Sequence, residues 1–88
     1  MSSVIEASFR RLWANVVYVL DDQGHELAID GPREALRYLR EDMADHSGHA
    51  YCSAILVCMA ATANSRHLER SRESFVAAYL EHREQSAD

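Results

Sequence analysis

The residues best suited to chemistry are two histidines and a cysteine near the middle of the chain. His46, His49 and Cys52 are spaced three apart, with Asp42 and Asp45 just upstream. Imidazole and thiolate together suit a transition metal, and on a helix His49 and Cys52 would share one face. Structural zinc sites usually close with four ligands, and no CxxC or HxxxH motif anchors these three. We therefore expect solvent-exposed histidines at a helix start beside a buried thiol, with a metal site at His46, His49 and Cys52 as the weaker alternative.

The two cysteines also raise the question of nucleophilic catalysis. A catalytic thiolate needs a lowered pKa and an accessible position, whereas Cys58 falls mid-way along an apolar stretch. No Gly-rich loop or oxyanion device accompanies Cys52 or Cys58. On a helix they would be separated by about 9 Å of rise, with side chains about 120° apart, which is too far for a disulfide. The sequence predicts no enzyme, no catalytic residue and no cofactor, and it predicts two free, buried thiols in a reducing, cytoplasmic compartment.

One basic run stands out near the C-terminus. Its members lie within seven residues of one another: Arg66, His67, Arg70 and Arg72. A basic helical face can bind phosphates, but Glu69 and Glu73 interrupt this one. The net charge of −5 and the pI of about 5.4 also disfavour a generic affinity for nucleic acid. A nucleic-acid-binding accessory protein is therefore the alternative to a protein-binding role, and a metal-binding module is the third hypothesis.

These residues must be positioned by a small fold, and the stretch that organises it is HAYCSAILVCMAATA, from His49 to Ala63. It is too short to span a bilayer, which takes about 20 apolar residues, and the polar residues Ser53 and Thr62 interrupt it. Its Ala, Leu and Met content favours helix, and apolar side chains occur nearly all the way round. The pattern predicts a central helix over about residues 48–63 that is buried on most faces.

The flanking segments predict a β-hairpin before this helix and one helix on either side of it. VVYVL at 16–20 and the alternating segment 25–30 are strands around a turn that ends at Gly24. A first helix runs from Pro32 to Met43, with His46 or Ser47 capping the next helix, and the last helix starts near Ser65. The fold class is therefore α+β in two layers, ββααα, with a single domain at 12–84 and a frayed tail at 85–88. Residues 1–11 are an arm or a short helix, unless 9–20 form one continuous strand.

Over about residues 12–82, a set of residues follows one another in a recognisable order and spacing. The set comprises Trp13, Gly24, Glu34-Ala35, Leu39, Gly48, Ala50-Tyr51, Ala54, Cys58, Arg72, Phe75 and Ala77-Ala78. This order resembles the small bacterial domain-of-unknown-function family 982. Such proteins usually carry Trp-Pro at the end of the first helix, where this chain has Met43-Ala44. The resemblance implies the ββααα fold and a cytosolic location, and it carries no activity.

Aromatic residues suggest how the protein could act. Three short helices cannot easily bury all five of the following aromatic side chains: Trp13, Tyr18, Tyr38, Tyr51 and Tyr79. Tyr and Trp are enriched at interfaces, an exposed hairpin edge invites pairing, and a thin core is often completed by oligomerisation. We therefore predict a homodimer that also binds a protein partner through Trp13, Tyr18 and Tyr51, with Arg72 as a further member. The alternative is that these aromatics fill the one core.

Overall fold

The computed structural model describes residues 11–43 and 48–87. It contains a hairpin of β1 (Val17–Leu20) and β2 (Glu26–Ile29), followed by α1 (Pro32–Glu41), α2 (His49–Ala63), a 3-10 turn (Ser65–His67) and α3 (Leu68–Ala87). This is the predicted α+β order of a hairpin and three helices. The predicted N-terminal arm, apart from Arg11, and the predicted caps His46 and Ser47 lie outside the described residues.

The hairpin is antiparallel, and its register runs from Val17 opposite Ile29 to Leu20 opposite Glu26. The Asp21 carboxylate holds the turn because it accepts hydrogen bonds from the backbone N–H groups of Gln23 (2.9 Å) and His25 (2.8 Å). Strand alternation then divides the sheet into an inner face with Val19 and Ile29 buried and an outer face with Tyr18 and Ala28 exposed.

The chain before β1 is irregular. The Trp13 N–H donates to the Asp30 carbonyl at 2.7 Å, which ties the lead-in to the end of β2. Residues 11–16 are not a strand, so the alternative of one continuous strand over 9–20 is wrong for the part of that segment that the structure describes.

Helix α1 starts at Pro32, where a missing N–H costs nothing, and buries Ala35, Tyr38 and Leu39. It ends at Glu41, two residues before the predicted end at Met43. The N–H groups of Asp42 and Met43 both donate to the Tyr38 carbonyl, at 2.8 and 3.3 Å, and close the helix. Met43 itself turns into the core.

Helix α2 packs against both α1 and α3, but the prediction that it is buried on most faces is wrong. Its fully buried residues are small: Ala54, Cys58 and Ala61. Among the described residues, α1 and α3 pack against the side of α2 that carries these residues, and small residues on that side let the helices approach closely. Cys52 is exposed, so of the two thiols only Cys58 is buried as predicted.

Helix α3 begins at Leu68, after a 3-10 turn that occupies its predicted start near Ser65, and it extends to Ala87, past the predicted end at residue 84. Phe75 and Ala78 are buried as its apolar face requires. Leu80 is 55% exposed, and the buried position one turn before Phe75 is taken by Ser71.

The core lies between the inner face of the hairpin and the helices, and aromatic rings form its centre. The Phe75 ring lies 5.8 Å from both the Trp13 and the Tyr38 rings, and the Tyr79 ring lies 6.1 Å from Tyr38. The five aromatics named in the sequence analysis differ in burial. Trp13 and Tyr38 are buried, Tyr51 and Tyr79 are partly buried and pack against the core, and Tyr18 is exposed.

Candidate interaction surface

The outward side of α2 carries exposed residues in a single line, which we call the outer stripe: His49, Cys52, Leu56, Met59 and Ala63. Their spacing alternates between three and four residues, which keeps them on one face of a helix. Leu56 is 67% exposed and Met59 is 48% exposed. Large apolar side chains therefore occupy the middle of a solvent-facing helix.

The outer stripe is also free of formal charge in an acidic protein. No Asp, Glu, Lys or Arg occurs between His49 and Ala63, whereas the chain as a whole has a net charge of −5. Exposed helix faces normally carry charged or polar residues. A helix of 15 residues is about 22 Å long, so this uncharged face runs the full length of α2.

The two ends of α2 differ in their electrostatics. At the N-terminal end, the Glu81 carboxylate of α3 lies beside Gly48, with Oε1 3.5 Å from the position that a Cβ on Gly48 would occupy. An acidic group near a helix N-terminus complements the helix dipole. The C-terminal end is followed by Arg66 and His67 in the 3-10 turn. A carboxylate therefore lies near the N-terminal end of α2, where Arg40 also acts on Tyr51, and two basic residues follow its C-terminal end.

The four predicted interface residues lie in four different segments of the chain, and they differ in how far they are buried. Trp13 is only 5% exposed, and its indole N–H donates to the Ser71 hydroxyl at 2.9 Å. It is a core residue and does not contribute to the surface of this chain. Tyr18 is 62% exposed on the outer face of the hairpin, so its assignment to an interface stays a prediction.

Tyr51 and Arg72 are half-buried. Tyr51 packs against the core, and burial raises the pKa of its phenol. The Arg72 guanidinium forms an ion pair with Glu69, one turn earlier on α3, and this hydrogen bond lowers the pKa of the Glu69 carboxyl. The pairing matches the i, i+3 spacing in the sequence, and it leaves Arg72 engaged along its own helix.

The candidate metal ligands are only partly described, because His46 lies outside the described residues. His49 and Cys52 are both exposed on the outer stripe. Within residues 11–43 and 48–87, no group of three or more His, Cys, Asp or Glu side chains could hold a metal ion. Cys58 is enclosed, and burial raises the pKa of its thiol to about 12, which is the opposite of what a nucleophile needs.

Two concavities lie beside α1. A cavity of about 280 Å³ at the N-terminus of α1 is lined by Arg11, Arg33 and Thr62, among others. A groove of about 370 Å³ between β2 and α1 is lined by acidic residues and by Arg37, which lies 3.9 Å from Glu34 and 3.6 Å from Glu41. Burial, followed by the nearby Asp22 and Asp21, raises the pKa of the Asp42 carboxyl at this groove. Arg37 therefore already offsets part of the negative charge of this groove.

Sequence reasoning missed the exposed residues Leu56 and Met59. The signal that identifies them is the absence of charge over 15 residues, in a helix that two other helices contact within the described residues. A helix that is apolar all round shows no preferred face, so periodicity does not indicate which side is exposed.

In the described part of the chain, no helix is both long enough and apolar enough to cross a membrane. A family model described as "Protein of unknown function (DUF982)" matches residues 15–85, which is most of the chain, and this confirms the resemblance found in the sequence. No curated protein and no solved structure matches the chain.

Proposed function

We propose that this chain, which belongs to the DUF982 family of proteins of unknown function, acts without catalysis as a self-associating interaction module. The observation that carries the proposal is the outer stripe of α2, with Leu56 and Met59 held in solvent at its centre. Exposed apolar surface of this kind marks interaction sites. Two free thiols support a role in a reducing compartment such as the cytoplasm.

Charge favours a second copy as the occupant of the stripe. Two acidic chains repel one another over most of their surfaces, because each carries a net charge of −5. The outer stripe has no formal charge, so it is a face on which copies can meet without placing like charges in contact. A strongly charged partner would gain nothing from this face.

The size of the stripe sets the expected affinity. Burying one Leu or Met side chain contributes about 1.5–3 kcal/mol, and a dimer through this stripe would bury four such side chains. Association costs an estimated 4–15 kcal/mol or more. A single pair of helices about 22 Å long also buries less than the roughly 800 Å² per partner of a standard interface. We therefore expect a weak dimer whose population depends on concentration.

Light scattering across a range of protein concentrations tests the proposal. The native mass should rise toward a dimer, and Leu56→Arg should keep the chain monomeric because it places a desolvated charge at the centre of the stripe. Leu80→Arg is the matched control, since Leu80 is similarly exposed but lies on α3. Circular dichroism verifies that all variants are folded.

The outcomes separate the two predicted surfaces. A native monomer at every concentration would contradict self-association. A dimer that resists Leu56→Arg but dissociates with Tyr18→Arg would keep the proposed function and move the interface to the hairpin, where Tyr18 is exposed.

A further inference from the structure

We infer that the outer stripe pairs with the outer stripe of a second copy in antiparallel orientation, with Leu56 of each chain against Met59 of the other. This inference rests on the proposed self-association and specifies its geometry. It follows from the pattern of side chains along α2 and from the charges at the two ends of that helix.

The first observation is that the stripe from Cys52 to Ala63 reads the same in both directions, whereas His49, one turn before Cys52, lies outside this symmetric part. Cys52, Leu56, Met59 and Ala63 are spaced four, three and four residues apart, and their sizes run small, large, large, small. A two-fold axis perpendicular to the helix, between Leu56 and Met59, superposes this pattern on itself. Each large side chain then faces a large one, and Cys52 faces Ala63 of the second copy, where small residues let the helix ends approach.

The second observation is that the ends of α2 carry opposite charge. The Glu81 carboxylate lies beside Gly48 at the N-terminal end, and Arg66 follows the C-terminal end. Antiparallel pairing brings the acidic end of one chain to the basic end of the other, and it also opposes the helix dipoles. Parallel pairing would bring together the two ends that carry Glu81 and, at the other end, the two that carry Arg66.

The two orientations differ sharply in the distance between thiols. In the antiparallel pair, the two Cys52 residues are separated along the helix axis by about 16 Å, because position 52 faces position 63 and the rise is about 1.5 Å per residue. A disulfide needs Cα atoms within about 7 Å. In the parallel pair the two Cys52 residues are adjacent. Cys58 is buried in either case and stays out of the reaction.

Disulfide cross-linking with copper–phenanthroline, read on a non-reducing gel, tests the orientation in the full chain. The native protein should stay uncross-linked, whereas Ala63→Cys should give a covalent dimer. That dimer should disappear when Cys52→Ser is added to Ala63→Cys. Ala77→Cys, at an exposed alanine of α3, controls for random collision and should give no cross-link.

Each other outcome overturns the inference in a distinguishable way. Cross-linking of the native chain that Cys52→Ser abolishes would establish parallel pairing and leave the proposed function intact. A dimer seen by light scattering that Ala63→Cys does not trap would place the interface elsewhere. Absence of any dimer in light scattering would remove both the inference and the proposed function.

Discussion

Trp13 and Ser71 are 58 residues apart in the chain, and a buried hydrogen bond of 2.9 Å joins the indole N–H to the Ser71 hydroxyl. The same hydroxyl donates to the Leu68 carbonyl at 2.6 Å within α3. Ser71 is fully buried, and Trp13 is nearly so. The lead-in to the hairpin is therefore attached to the first turn of the last helix through a polar contact inside the core.

Ser71→Ala should destabilise the protein by about 1–3 kcal/mol, because it leaves the Trp13 N–H buried without an acceptor. Urea unfolding followed by the fluorescence of Trp13, the only tryptophan, measures the change. Ser74→Ala on the same helix is the matched control and should shift the midpoint little. Equal midpoints for the two variants would show that the Trp13–Ser71 bond contributes nothing net.

Ser71 also shows where sequence reasoning stops. The strands, the turn at Gly24 and the helix start at Pro32 follow from local residue preferences, and the structure has them where the sequence predicts. Ser71 is buried because its partner is Trp13, and Leu80 is 55% exposed although it follows the half-buried Tyr79 on α3. Both facts depend on contacts between distant segments, which alternation and spacing do not encode.

The candidate site was hidden for a related reason. The sequence predicts α2 and its bounds well, but a helix that is apolar all round gives no indication of which side faces solvent. Leu56 and Met59 are exposed because α1 and α3 pack on the side that carries Ala54 and Cys58. Tyr18 could be found from strand alternation alone, whereas Trp13 is covered by Phe75 of α3.

Two tyrosines hold the end of β1 against the helices. The Tyr38 hydroxyl donates to the Leu20 carbonyl at 2.7 Å, and the Leu20 N–H donates to the Tyr79 hydroxyl at 2.9 Å. Burial raises the pKa of Tyr38 to about 12, with smaller contributions from Tyr79 and Asp42. The neutral phenol is therefore favoured in the folded chain.

This shift predicts a loss of stability in alkali. The unfolded phenol titrates near 10, so the contribution is complete below pH 10 and is lost as the pH rises from 10 through about 12. The two-unit difference corresponds to about 2–3 kcal/mol. The chain has no lysine, but burial also raises the pKa of Cys58, to about 12, and that of Tyr51, so these two groups add to the alkaline loss.

Urea unfolding at pH values between 8 and 11.5 checks this. Tyr38→Phe should lower stability at pH 8 by about 1 kcal/mol through the lost hydrogen bond, and it should flatten the decline above pH 10. Tyr18→Phe, at an exposed tyrosine, should leave the decline in place. An unchanged slope in Tyr38→Phe would assign the alkaline loss to other groups.

Gly31 is required by a close approach of two backbone segments. A Cβ at this position would lie 2.5 Å from the Arg11 carbonyl oxygen and 3.4 Å from the Leu12 Cα, and neither backbone atom can rotate away. Gly31→Ala should cost about 1–3 kcal/mol by displacing the lead-in. The Trp13 emission should shift to the red, since this residue follows the displaced segment.

Gly24 supplies the contrast. Its φ of +85° lies in the left-handed region, but no atom lies within 4 Å of the position of its Cβ. Gly24→Asn should cost less than Gly31→Ala, because Asn tolerates left-handed conformations and has room there. A reversed order of unfolding midpoints would contradict the close approach of Arg11 and Gly31.

The two thiols should report on both the fold and the interface. Cys52 is exposed and Cys58 is buried with a pKa raised to about 12, so a disulfide reagent at pH 8 should modify one thiol quickly and the other only in urea. Cys52→Ser should abolish the fast phase.

If α2 pairs with α2 of a second copy, the rate of Cys52 modification in the native chain should fall as protein concentration rises, because the stripe becomes covered. Leu56→Arg should make that rate independent of concentration. A rate that stays constant in the native protein, at concentrations where light scattering detects the dimer, would show that the dimer leaves the outer stripe exposed.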